Sequence, residues 1–189
     1  MKTINTQHII KFFFIAIVAV FTAAAANAQS AKKNFRYDIT VNGSSNIHDW
    51  SMKGSGSGEG IFDLSAAAVD AIQPITLTIP VKSIKSDEGL LNSRAYSAVG
   101  ADKNPNMVFK VTSAKGSGTQ LTINGLLTFA GATRQVAMTA NTKKNADGSF
   151  TITGSKKIKL SEFGVKAPSY MLGAMKVYDD LTINYTVKI

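Results

Sequence analysis

Apolar and polar residues alternate with a period of two from Phe35 to the final residues of the sequence. This period puts every second side chain on one face of an extended strand, and so predicts β-strands with a single apolar face. The clearest run has Leu181, Ile183, Tyr185 and Val187 on one face. Eight or so antiparallel strands of this kind predict an all-β barrel or sandwich.

Short segments of turn composition separate the runs. Residues 115–118, 130–132 and 145–148 are rich in glycine, asparagine and small residues. Connections this short join neighbouring antiparallel strands. The strands are therefore expected to pair with their neighbours in sequence.

One segment has the period of a helix instead. Leu91, Ala95 and Val99 recur at a spacing of four residues, and either Ser86 or Asp87 can cap the helix start. A lone short helix has no second helix to pack against. It is expected to cover one end of a barrel.

The first 28 residues have the pattern of a cleavable secretory signal. Lys2 and Lys11 form a basic region, an apolar run covers residues 12–26, and residues 26–28 form a small-x-small cleavage site. The apolar run falls short of the ~20 residues that a membrane-spanning helix needs. The protein is therefore expected in the periplasm or outside the cell, without an integral membrane span.

The remaining chain is expected to divide in two parts. Residues 29–34 are predicted to be a flexible N-terminus, and residues 35–189 to be one barrel domain large enough to bury a core. The sequence has no cysteine, so disulfides, thiolate nucleophiles and lipid attachment to cysteine are excluded.

Charge and motifs favour neither nucleic-acid binding nor catalysis. The formal net charge is +9, but the lysines are spread over the chain and have no aromatic residues interleaved for base stacking. His48 beside Asp49 is interpreted as a polar residue at a strand start, because strand neighbours point to opposite faces. No catalytic, metal-ligating or cofactor-binding residue is predicted, and the protein is not expected to be an enzyme.

Four glycines on one strand face are the feature that predicts a cavity. Glycine weakens a strand, so a run of them needs a reason. One reason is a flexible linker, and the other is space inside a barrel, where missing side chains leave room for a slender apolar ligand. The four glycines are Gly54, Gly56, Gly58 and Gly60. The second reason is favoured because two further glycines, Gly125 and Gly154, lie on the apolar faces of their own strands.

Several motifs in order resemble the YceI-like, polyisoprenoid-binding family. The resemblance runs from about Phe35 to Ile189, and its strength lies in the order and spacing of motifs that are individually weak. The motifs are SNIHDW at residues 45–50, VKSI at 81–84, LNSRAY at 91–96, NPNMVF at 104–109, LTINGLLTF at 121–129, GATRQV at 131–136 and LSEFGVK at 160–166. Residues 98–102 depart from the commoner pattern.

This resemblance implies an eight-stranded antiparallel, lipocalin-like barrel with one short helix covering an end. It also implies an exported protein that holds a polyisoprenoid or another long apolar lipid in the barrel, without a catalytic centre. The predicted apolar lining is Trp50, Gly58, Gly60, Phe62, Leu77, Ile79, Leu91, Tyr96, Phe109, Ile123, Gly125, Leu127, Phe129, Met138, Ile152, Ile158, Phe163, Met171 and Ile183.

Alternatives stay open at this point. Trp50 can be a core anchor or a ligand contact, and the apolar residues around Pro168 can close the barrel or gate it. A small outer-membrane barrel would turn the same apolar faces outward. A protein-interaction or stress-response module with an incidental cavity is the other alternative, and an edge or mouth contact would allow a homodimer.

Overall fold

The computed structural model describes residues 28–189, in which eight strand positions form a closed antiparallel ring. Each strand pairs with its neighbours in the order β1, β11, β8, β7, β6, β5, β3 and β2. The strands are β1 Gln29–Ser44, β2 Asp49–Leu64, β3 Val69–Ile72, β4 Ile75–Pro80, β5 Asn106–Ser117, β6 Gln120–Phe129, β7 Ala132–Lys144, β8 Phe150–Lys159, β9 Ser169–Tyr170, β10 Met175–Lys176 and β11 Asp180–Lys188.

Two short strands share one position in this ring. The strand β3 pairs with both β2 and β5, which closes the sheet on itself. The strand β4 continues along β5 from Val111 to Asn106 after a break at Gln73 and Pro74. The eight-stranded antiparallel barrel expected from the sequence is confirmed.

The apolar face of each strand is the inner face. In β2, Met52 and Phe62 are buried, whereas Lys53, Ser55 and Ser57 between them are exposed. The same alternation holds in β8, where Ile152 and Ile158 are buried. An outer-membrane barrel would need apolar residues on the outer face. In this structure they lie on the inner face.

Tight turns set the register of the central strands. Ala130 and Gly131 have φ angles of 49° and 83° and form the whole connection between β6 and β7. Two successive positive φ angles match the twist of the flanking strands, and this is why a two-residue hairpin fits here.

The helix α1 spans Gly89–Ala98 and lies over one end of the barrel. Its first residue comes three positions after Ser86 and two after Asp87, the predicted caps, and the residue at the observed cap position, Glu88, makes no side-chain capping hydrogen bond. Instead, the Asn92 side chain accepts a hydrogen bond from the Ser86 N–H at 2.7 Å and donates one to the Ser86 carbonyl at 2.9 Å. The Tyr96 hydroxyl also donates to the Ile84 carbonyl at 2.9 Å, which fixes the helix to the segment after β4.

The N-terminal prediction is wrong in one part. Residues 29–34, expected to be flexible, are the first six residues of β1 and pair with residues 59–64 of β2. The predicted signal lies, apart from its final residue, outside the described residues. No helix within residues 28–189 is long and apolar enough to cross a membrane.

An irregular segment, residues 160–176, completes the end that α1 covers. It contains a 3₁₀ turn at Leu160–Phe163, the two short strands β9 and β10, and a 3₁₀ turn at Met171–Gly173 between them. Asn46, in the β1–β2 loop, donates to the Ala174 carbonyl at 2.9 Å and accepts from the Lys176 N–H at 2.7 Å. These bonds hold the segment against the barrel rim.

Candidate functional site

Two cavities lie inside the barrel and adjoin at Met107 and Ile183, which contribute to the walls of both. The upper cavity has a volume of about 170 Å³ and lies between α1, the irregular segment and the upper strand ends. The lower cavity has a volume of about 150 Å³ and is enclosed almost entirely by strands. Together they form an apolar interior that runs from the helix into the barrel.

Strand residues of the period-two pattern form most of the lower cavity wall. Its lining is apolar except for Tyr37, Tyr185 and Lys156. The predicted residues on this wall are Phe62, Leu77, Ile79, Phe109, Ile123, Leu127, Met138, Ile152 and Ile183. The pattern therefore identified the correct face of these strands. Their contact with a ligand stays a prediction.

The upper cavity has a more varied wall. The predicted residues found on it are Trp50, Leu91, Tyr96, Phe129 and Ile158, with Ile183 shared. The helix face with Leu91, Ala95 and Val99 turns toward this cavity. Trp50, for which two roles were left open, is part of the wall.

Three predicted lining glycines do not border either cavity: Gly58, Gly60 and Gly125. They face inward as expected, but aromatic rings cover them. A Cβ on Gly58 would lie 2.6 Å from Phe35 Cζ, and one on Gly125 would lie 2.6 Å from Phe109 Cε2. At Gly60 the neighbours are Ile75 and Phe62. The expectation that these glycines leave an open hollow is therefore wrong.

The glycines enlarge the interior indirectly, because they make room for aromatic rings against the barrel wall. Gly56 and Gly58 are the register partners of Tyr37 and Phe35, and Gly154 is the partner of Tyr185. Each ring lies over its partner glycine, in the space that a side chain would fill. Because the rings lie against the wall, they do not project across the barrel axis.

Two further predicted lining residues lie elsewhere. Phe163 is 2% exposed and packs edge-on against Phe129 with ring centroids 5.6 Å apart, so it is part of the solid core. Met171 is 71% exposed, because a positive φ of 54° in its turn directs it to solvent. The sequence pattern cannot separate these cases, because both residues lie outside the regular strands.

The upper cavity also has a polar rim that the sequence analysis did not assign. His48, Glu88 and Arg94 border it. The Arg94 guanidinium lies 4.3 Å from the Tyr170 ring centroid and donates to Met175 Sδ at 3.7 Å. Arg94 therefore connects α1 to the irregular segment. The signal available in the sequence was its position three residues after Leu91, which places it beside the predicted apolar face of the helix.

Tyr37 and Tyr185 are two tyrosines of the lower wall that the site prediction missed. Burial raises the pKa of both phenols, that of Tyr185 to about 12, so both stay neutral at physiological pH. The Tyr185 hydroxyl is buried, and within the part of the chain that the structure describes it has no hydrogen-bond partner. Both tyrosines lie on apolar strand faces, which was the signal that could have included them.

Two polar residues outside the strand-lined cavity, His48 and Asp179, have structural partners. His48 Nδ1 lies 2.8 Å from the Asp49 carbonyl oxygen. Asp179 accepts hydrogen bonds from the Ser161 N–H at 2.8 Å and hydroxyl at 2.6 Å, and these bonds lower the pKa of its carboxyl. Within residues 28–189, no group of three or more His, Cys, Asp and Glu side chains could hold a metal ion.

Comparison with known proteins gives a family and a fold. The family model described as YceI-like domain matches residues 20–189. Comparison with the curated proteins finds no match. Burkholderia cenocepacia BcnA superposes with a TM-score of 0.58 at 18% identity, over 82% of this chain and 96% of that one.

Two other solved structures have the same fold. A polyisoprenoid binding domain from Saccharophagus degradans, implicated in plant cell wall breakdown, has a TM-score of 0.61 at 9% identity and covers 85% of this chain and 98% of its own. A Campylobacter jejuni YCEI protein has a TM-score of 0.53 at 20% identity and covers 68% and 81%. At these identities the structures show a shared fold.

Proposed function

Because this chain belongs to the YceI-like family, we propose that it binds a polyisoprenoid or similar long apolar lipid inside its barrel. The observation that carries the proposal is the pair of adjoining apolar cavities. A polyisoprenoid-binding domain of the same fold supports the ligand class. The proposed activity is binding for transport, storage or sequestration, without catalysis.

Cavity volume limits how much of a lipid chain the barrel holds. A dry cavity of about 150 Å³ lined by aliphatic and aromatic residues accepts a molecule the size of benzene. The two cavities, of about 170 and 150 Å³, therefore have room for about a dozen carbon atoms. A longer chain would extend past the helix, or would widen the barrel as it enters.

Burial of this length is enough for measurable binding. A dozen carbons at ~0.8 kcal/mol each give on the order of 10 kcal/mol. Association costs at least about 4 kcal/mol, which leaves an affinity of about tens of micromolar from the apolar wall alone. Affinity is therefore expected to rise with chain length and to level off near twelve carbons.

A matched pair of variants tests the proposal. Met138 borders the lower cavity and Thr139, next to it in β7, is exposed on the outer face. Met138→Trp should fill the cavity and reduce lipid affinity by about 100-fold or more, whereas Thr139→Trp should bind as the unmodified protein does. Native mass spectrometry of all three proteins, purified in parallel, measures the bound molecule.

Two results would contradict the proposed lipid binding. If the unmodified protein carries no extractable apolar molecule and binds no chain of any length after purification, the proposal fails. Equal lipid loading of Met138→Trp and Thr139→Trp would place binding outside the barrel and would also contradict it.

Export is a separate part of the proposal. It rests on the signal pattern of residues 1–28 and assigns the protein to the periplasm or the exterior. The mature protein, sequenced from its first residue after cell fractionation, should begin at Gln29. A cytoplasmic protein that keeps Met1 would contradict it.

A further inference from the structure

The Tyr185 hydroxyl is a buried polar group without a hydrogen-bond partner among the described residues. Tyr185 lies on β11 between its register partners Ile39 and Gly154, and its side chain borders the lower cavity. Its oxygen is packed over Gly154. A buried donor without a partner has lost its bonds to water and gained none in return.

The side chains next to Tyr185 in the sheet offer no acceptor. Ile39 and Ile183 are apolar, and Gly154 has no side chain. Lys156, two residues along β8, also borders the cavity, but its ammonium already donates to the Ala137 carbonyl at 2.9 Å. The Lys156 ammonium is itself a donor, so it could not satisfy the donor of Tyr185.

The position of Tyr185 also allows it to reach a ligand. Its ring lies over Gly154, which has no side chain, and Tyr185 also borders the lower cavity. A hydrogen bond to a ligand in the cavity requires the ring to tilt away from Gly154. Burial raises the pKa of this phenol to about 12, so it remains an O–H donor. A ligand oxygen in the cavity would supply the acceptor that this hydroxyl lacks within residues 28–189.

We propose that Tyr185 determines specificity by donating a hydrogen bond to a neutral acceptor oxygen, of the carbonyl, ester or ether type, carried by the part of the lipid that occupies the lower cavity. This inference rests on the proposed lipid-binding function. It means that an oxygenated end of the lipid lies in the lower cavity, and that the hydrocarbon tail lies toward α1.

Two probes and one substitution isolate the hydrogen bond. Phytone is a saturated isoprenoid methyl ketone, and pristane is the hydrocarbon in which a methyl group replaces the carbonyl oxygen. Tyr185→Phe removes only the hydroxyl and keeps the ring over Gly154. We expect this variant to lose about tenfold in phytone affinity and to change less than about twofold toward pristane, by displacement of a bound fluorescent lipid.

A control separates the loss of the Tyr185 hydroxyl from the loss of a tyrosine hydroxyl elsewhere. Tyr178→Phe, at an exposed tyrosine that borders neither cavity, should keep the affinity of the unmodified protein for phytone. The infrared carbonyl band of bound phytone should lie at lower frequency in the unmodified protein than in Tyr185→Phe. A thermal melt of each variant shows whether the barrel is intact.

Each failure has its own signature. If neither probe binds the unmodified protein, the proposed function is wrong, and the inference that rests on it is wrong as well. If both probes bind and Tyr185→Phe changes neither affinity nor the carbonyl band, the inference alone is wrong. Trp50 borders the upper cavity, and its buried Nε1 also lacks a hydrogen-bond partner among the described residues. If Trp50→Phe loses phytone affinity and Tyr185→Phe does not, the ligand oxygen lies in the upper cavity and the assignment to Tyr185 is wrong.

Discussion

The lower and upper cavities differ in what builds their walls. Paired strands line the lower cavity, and each wall residue is fixed by a register such as Leu77 with Phe109 or Ile123 with Met138. The upper cavity has a helix and an irregular segment on its wall, together with charged residues at the rim. The strand-lined part is expected to be rigid, and the other to adjust to what enters, because regular pairing resists local opening.

The first prediction tests the rigid wall through a covered glycine. Gly58→Ala would put a Cβ 2.6 Å from Phe35 Cζ, and Phe35 borders the lower cavity. The ring must leave the wall, so the free energy of unfolding should fall by about 2 kcal/mol, as measured by denaturant unfolding. Ser57→Ala, on the exposed face of β2, should change it by less than about 0.5 kcal/mol.

A double variant identifies the cause of that loss. In Phe35→Leu the smaller side chain leaves room over Gly58, so adding Gly58→Ala should cost much less than it does alone. Equal costs in both backgrounds would mean that the Phe35 ring is not what the glycine accommodates.

The second prediction concerns the upper cavity. Ala95 on α1 borders it, and Ser97 on the same helix is exposed. Ala95→Trp should reduce the affinity for chains longer than about six carbons by about tenfold and should leave shorter chains unaffected, because these fit the lower cavity alone. Displacement measurements over a chain-length series, with Ser97→Trp as control, check this. An equal loss for all lengths would mean that ligands bind the two cavities as one rigid unit.

The smallest expected effect concerns the contact that joins helix and irregular segment. Arg94→Leu removes the guanidinium from the Tyr170 ring, a contact of about 0.5–1 kcal/mol. Amide hydrogen exchange should rise about two- to fivefold in residues 169–176 and stay unchanged in the barrel strands. Arg134→Leu, at an exposed position of β7, should leave that segment unchanged. Faster exchange throughout the barrel would contradict a local role for Arg94.

The same contrast explains what could be predicted from the sequence. Period-two alternation fixes which face of a strand is apolar, and so it identified Leu77, Ile123 and Ile152 on the lower wall. It carries no information about which strands meet. The contact between Phe35 and Gly58 joins two strands. Without knowing how β1 and β2 are paired, the sequence analysis could only interpret the glycine as unfilled space.

The irregular segment was beyond prediction for a related reason. Whether Phe163 packs inward and Met171 outward depends on turn geometry, including positive φ at Met171 and Leu172. The hydrogen bonds from Asn46 that hold this segment join parts of the chain 128 and 130 residues apart. Local periodicity does not report contacts of this kind.

The pairing of β1 with β11 has a consequence for how the protein is made. The first and last strands of the ring lie side by side, from Arg36 with Lys188 to Asn42 with Thr182. Until β11 inserts between β1 and β8, the sheet is an open sheet with two unpaired edges and has no enclosed interior. A growing chain therefore cannot enclose a lipid before β11 is in place. Lipid binding can occur only as β11 inserts or after it has inserted.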